Sequence, residues 1–104
     1  MTTAEKAALP QSEIDERLRD LPLWKQVGQE IVRVQVFPSY KDALNFVYQV
    51  GLAAEAEDHH PDIVMSYKKV EIHYATHSAG GLTVLDFRMA GTVERLVQQF
   101  FQPK

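Results

Sequence analysis

Two histidines stand side by side in Glu55-Ala-Glu-Asp-His-His-Pro61, behind an acidic run and ahead of a proline. Imidazole suits proton transfer near neutral pH, because its reference pKa is about 6.5. The chain has four histidines in all. His77 comes at the end of an alternating segment, and Asp58 and Asp86 lie close by in sequence. Such carboxylates orient imidazoles or favour their charged form. Adjacent side chains on extended backbone point to opposite sides. His59 and His60 therefore have different tasks, one facing a reacting atom and the other fixing a ligand. The chemistry these residues point to is general acid/base catalysis.

Plainer uses exist for each of them. A His-His pair at a helix end can be a solvated cap, since cations are favoured there. Asp86 has the spacing of a capping box with Thr83. Tyr67, Tyr74 and Trp24 read as packing residues. Metal binding is the rival chemistry: His73 and His77 are four apart, and His59 and His60 could complete a set. However, HxxxH binds metal from a helix, whereas VEIHYATH alternates like a strand, and HExxH is absent. No metal is expected. Gly80-Gly81 is an isolated pair, GxSxG is missing, and the chain has no cysteine to serve as a nucleophile or thiolate ligand.

The chain that positions these residues has 104 residues, enough for one domain (1–104). It is 45% apolar and 24% charged, with a net charge of −3. A mildly acidic chain without a basic run has no general attraction for nucleic acid. No apolar stretch approaches the roughly 18 residues of a membrane span, and the first residues lack the apolar core of a secretory signal. The expected setting is cytoplasmic, without nucleic-acid or membrane partners.

Residues 1–10 read as a loose tail. A helix is expected from Ser12, paired with Asp15 as an imperfect capping box, with Ile14, Leu18 and Leu21 buried until Pro22 stops it. Strands are expected at 23–27 and 30–37, joined at Gly28-Gln29. In the second, Val32, Val34 and Val36 alternate with Arg33 and Gln35. Ser39 and Asp42 start a helix with Ala43, Leu44, Val47, Val50 and Ala54 on one face, running to about Glu57. Its acidic end opposes the helix dipole, and a local rule broken at one place often marks function. A strand over 63–67, a turn at Lys68-Lys69 and a strand over 70–76 follow. Val70, Ile72, Tyr74 and Thr76 belong to the core face of the last strand; Glu71, His73, Ala75 and His77 belong to an open polar face. After a loop at 78–81, Thr83 and Asp86 cap a helix that buries Leu85, Met89, Val93, Leu96 and Phe100; Gly91 within it marks close packing or a break. The fold class is α+β, a four-stranded antiparallel sheet with three helices on one face, in the order α-β-β-α-β-β-α.

The spacing resembles that of the pterin-4a-carbinolamine dehydratases. Their pattern is an acidic residue, three positions, His-His-Pro, five positions, an aromatic, nine positions, His, then eight or more positions and Asp. Glu55, His59-His60-Pro61, Tyr67, His77 and Asp86 meet every spacing. The flanking Tyr67-Lys-Lys-Val70 and Thr76-His-Ser-Ala-Gly-Gly-Leu-Thr83 also look like the family, and the likeness covers about residues 11–101. Ser78 stands where an acidic residue is common, Lys68 where asparagine is common, and Asp62-Ile63 where the vertebrate type has Glu-Trp. The resemblance implies dehydration of 4a-hydroxytetrahydrobiopterin, or a related 4a-hydroxytetrahydropterin, to the quinonoid dihydropterin, supporting recycling of tetrahydrobiopterin. It implies a catalytic set of His59, His60 and His77, with His59 and His77 the acid/base pair and His60 also holding the pterin. Glu55, Asp58, Pro61, Thr76 and Ser78 would bind substrate, and Asp86 would support His77. No metal or organic cofactor is implied; a homodimer or homotetramer is. The alternative is a non-catalytic pterin-binding or dimerisation module of the same fold.

Overall fold

A computed structural model describes residues 7–101. Its elements are α1 (Gln11–Leu18), β1 (Trp24–Val27), β2 (Glu30–Val36), α2 (Tyr40–Glu57), β3 (Asp62–Ser66), β4 (Lys69–Tyr74) and α3 (Val84–Gln99), with a 3-10 turn at His77–Ala79. The strands form one antiparallel sheet in the order β1-β2-β4-β3. The helices pack on one face, burying Ile14 of α1, Ala43, Phe46 and Val50 of α2, and Met89, Ala90 and Val93 of α3 against Ile31, Val70, Ile72 and Tyr74. The expected α+β order and layering are therefore found.

β4 is central and sets the register. Its core face is Val70, Ile72 and Tyr74, as expected, and opposite them lie Gln35, Arg33 and Ile31 of β2. This inverts the reading of β2. Val34 and Val36 are exposed on the open face, while Arg33 is buried, with 4% of its side chain accessible. Arg33 tolerates burial because its charge is paired: Nε donates to Glu94 Oε1 at 2.7 Å and Nη1 to the Val34 carbonyl at 2.6 Å. Glu94 also accepts from Trp24 Nε1 at 2.8 Å. The open face is correspondingly less polar than expected, since Val27, Val34, Val36 and Val64 are exposed there.

Other boundaries differ for local reasons. Pro10, in extended conformation, precedes α1, and Ser12 lies inside the helix with no capping role. Asp15 instead accepts from the Gln11 side chain at 2.8 Å. Residues 1–6 of the expected tail lie outside the described residues, but the Leu9 N–H donates to the Leu82 carbonyl at 2.8 Å and Leu9 packs on the core. Ser39 caps α2 as expected, accepting from the Asp42 N–H at 3.1 Å. The buried face of α2 takes Phe46, and Leu44 points outward. The β3–β4 turn falls one residue early, at Tyr67-Lys68, with Tyr67 at φ 53°. α3 runs unbroken through Gly91, where an added Cβ would meet only the end of the Arg95 side chain at 3.8 Å, so the glycine marks neither a break nor close packing.

Candidate active site

The end of α2 delivers the histidine pair. Asp58 adopts the left-handed conformation (φ 52°), which Asp tolerates better than most residues. The His59 N–H then reaches back to the Ala54 carbonyl at 3.1 Å, and the Asp58 N–H to Glu55 at 3.3 Å. These bonds close the helix as a Schellman-type cap and turn the chain sharply. The His59 ring goes inward, its side chain 12% accessible, and the His60 side chain stays 56% accessible.

β4 and the start of α3 build the wall that His59 meets. The His59 ring lies on Tyr74, with centroids 5.3 Å apart and planes at 24°. The Tyr74 hydroxyl donates to the His59 carbonyl at 3.1 Å. Burial first, and the charge of Asp86 second, push this phenol well above the ordinary tyrosine range, so it remains a donor.

Asp86 is fully buried and is the hub of the site. Its Oδ1 lies 2.7 Å from His59 Nε2. Its Oδ2 accepts from Thr76 Oγ1 at 2.8 Å and from the Thr83 N–H at 2.9 Å. The last bond is half of the expected Thr83–Asp86 capping box, which is complete. Asp86 thus starts α3 and also holds a histidine. That histidine is His59, not His77 as the sequence reading assigned.

The remaining residues take these places. His60 Nε2 lies 2.7 Å from Glu55 Oε1, both side chains largely in solvent. His77 is exposed on the 3-10 turn rather than on a strand, and its ring makes no hydrogen bond to another described residue. It directly follows Thr76, whose hydroxyl is tied to the carboxylate that holds His59, and Thr76 also bridges to Gly81. Thr76 is buried with its hydroxyl turned toward Asp86. Asp58 and Ser78 are exposed and Pro61 is half-buried. His73 is not brought to this group: it faces the open side of the sheet, 3.4 Å from Glu30 and from Glu71. Among the described residues, no three His, Cys, Asp or Glu are arranged to hold a metal ion.

Sequence reasoning treated Tyr74 as packing and Thr83 as a cap only. One signal for the rest was present: Thr76 is a hydroxyl on the otherwise apolar face of its segment, which asks for a buried partner.

A sequence model described as pterin 4 alpha carbinolamine dehydratase matches residues 7–96. The chain belongs to the pterin-4-alpha-carbinolamine dehydratase family. A relative from Roseiflexus castenholzii, provisionally named as such a dehydratase, is 43% identical over 91 residues, covering 88% of this chain and 98% of its own. A solved structure described as a transcriptional coactivator/pterin dehydratase from Brucella melitensis is 37% identical, with a TM-score of 0.82, over 86% of this chain and 97% of its own. A pterin dehydratase-like protein described as a RuBisCO assembly factor of the alpha-carboxysome shares 21% identity with a TM-score of 0.61, over 70% and 87% of the two chains. At that identity the likeness is one of fold. Among the described residues of this family member, no helix is long and apolar enough to cross a membrane.

Proposed function

We propose that the protein dehydrates a 4a-hydroxytetrahydropterin by histidine acid/base catalysis. The observation that carries this reading is His59 held at Nε2 by buried Asp86, with the segment bearing His77 tied to the same carboxylate through Thr76. The reaction breaks the C4a–O bond. The adjacent ring nitrogen supplies the electron pair for a new C=N bond and loses its proton. One acid must protonate the leaving oxygen and one base must take the nitrogen proton, so water and the quinonoid dihydropterin leave in balance. His59 and His77 fill those roles, and each is worth typically 10²–10⁴-fold in rate. On this reading His60, exposed and paired with exposed Glu55, grips the pterin, aided by Asp58 and Pro61 beside it in the chain and by Ser78 beside His77.

The protein acts as a homo-oligomer on this reading. β1 and β3 are the free edges of the sheet, and Tyr40, Leu44, Tyr48 and Leu52 expose an apolar stripe at four-residue spacing on α2. Light scattering of the 11.8 kDa chain tests this, and a monomer would overturn it.

The deciding experiment follows the decay of freshly generated 4a-hydroxytetrahydropterin by stopped flow. The unmodified protein accelerates it, and His59→Ala or His77→Ala removes most of the acceleration. Full activity in both variants would remove these roles. A second reading, a non-catalytic assembly module, is favoured by the RuBisCO assembly factor of the same fold. An unmodified protein that does not change the decay would select it.

A further inference from the structure

We propose that Thr76 and Thr83 are positioning residues that fix the tautomer of His59, keeping its proton at Nε2 and leaving Nδ1 for the substrate. The benefit to catalysis rests on the dehydratase reading; the tautomer itself does not.

The hydrogen bonds around Asp86 can be assigned in one direction only. The Leu85 N–H donates to Thr83 Oγ1 at 3.2 Å. Thr76 Oγ1 lies 2.8 Å from Thr83 Oγ1 and 2.8 Å from Asp86 Oδ2. A hydroxyl has one proton and an ionised carboxylate only accepts. Thr76 therefore gives its proton to Asp86, and Thr83 gives its proton to Thr76. The chain runs from the Leu85 N–H through two hydroxyls to the carboxylate, and every donor is matched.

This chain, with the Thr83 N–H, places two donors on Oδ2. The carboxylate cannot rotate without breaking both, so Oδ1 stays aimed at His59 Nε2. An ionised carboxylate has no proton to give, so in the neutral ring the hydrogen shared with Oδ1 belongs to Nε2. Nδ1 makes no hydrogen bond to another described residue. It is a base in the neutral ring and an acid in the charged one. Tyr74 stacks on the ring and holds the His59 carbonyl, which supports the orientation that points Nε2 at Asp86.

The test uses the full chain with ¹⁵N-labelled histidine and long-range ¹H–¹⁵N NMR, which separates the two neutral tautomers. In the unmodified protein and in Thr76→Ser, neutral His59 carries its proton at Nε2. In Thr76→Val, which keeps the shape and removes the hydroxyl, both tautomers appear. There kcat for 4a-hydroxytetrahydropterin falls by about 10-fold, a part of the 10²–10⁴-fold that a positioned acid or base supplies, while KM stays within about 2-fold. A folded Thr76→Val with the unmodified tautomer and kcat overturns the proposal. So does an Nδ1–H tautomer in the unmodified protein, a result that needs no variant. An inactive unmodified protein whose His59 still responds to Thr76→Val overturns the dehydratase reading and supports this one.

Discussion

Tyr74 both stacks on the ring of His59 and donates its hydroxyl to the His59 carbonyl at 3.1 Å. A single side chain on the central strand thus holds the first histidine of the pair by its ring and by its backbone. Tyr74→Phe keeps the stack and deletes the hydrogen bond. The expected loss is about 1 kcal/mol of stability, the usual net worth of such a bond, with a smaller effect on KM than on kcat. Urea unfolding and steady-state kinetics check it; an unchanged unfolding midpoint would show the bond contributes nothing.

The same phenol gives the protein an alkaline limit. Its folded pKa is raised above the unfolded value of about 10, so the folded state keeps a proton that the unfolded state loses. Its contribution to stability is full below about pH 10 and declines as pH rises toward the higher folded value, by up to about 1.4 kcal/mol per pH unit. Unfolding midpoints measured from pH 9 to 11 should fall more steeply for the unmodified protein than for Tyr74→Phe. Equal slopes would contradict the assignment.

Asp86→Asn replaces an acceptor with an amide. Whichever way the amide turns, a donor faces His59 Nε2–H, or faces the Thr83 N–H and the Thr76 hydroxyl. We expect a loss of roughly 1–3 kcal/mol, since buried polar groups are left unmatched, and a fall in kcat of at least about 100-fold. Denaturant titration and stopped flow measure the two effects separately. Wild-type kcat in the folded variant would show that the carboxylate has no part in the chemistry.

Glu94 accepts from both Arg33 and Trp24 in the core layer. Glu94→Ala leaves the buried guanidinium without its counter-charge, which costs about 3 kcal/mol or more. Replacing both partners, Arg33→Met with Glu94→Leu, should recover part of that loss, since the Trp24 indole N–H still lacks its acceptor. A double-mutant cycle by urea unfolding supplies the coupling energy, and additive effects would show that the pair is not coupled.

What sequence reading reached, and what it missed, follows from where the deciding partner lies. α2 and α3 were legible because Ser39 and the Thr83–Asp86 box announce their starts locally, and β4 because its apolar face is unambiguous. The β2 faces were not legible. Its two alternating sets differ by an arginine whose acceptability inside depends on Glu94, 61 residues away. The outer stripe of α2 is as apolar as the inner one, so Leu44 and Phe46 could not be ranked without the sheet. His59, His60, His77 and Asp86 were singled out as candidates by type and spacing. Which imidazole the carboxylate takes was not, because Asp86 and His59 are 27 residues apart and meet only when α3 docks.

Asp86 belongs at once to the opening turn of α3 and to His59. Any local opening of that turn releases the imidazole even while the rest of the molecule stays folded. Heat inactivation should then set in at a lower temperature than the cooperative melt. A substitution that tightens the start of α3 would extend the working range of the protein without touching a group that meets its ligand.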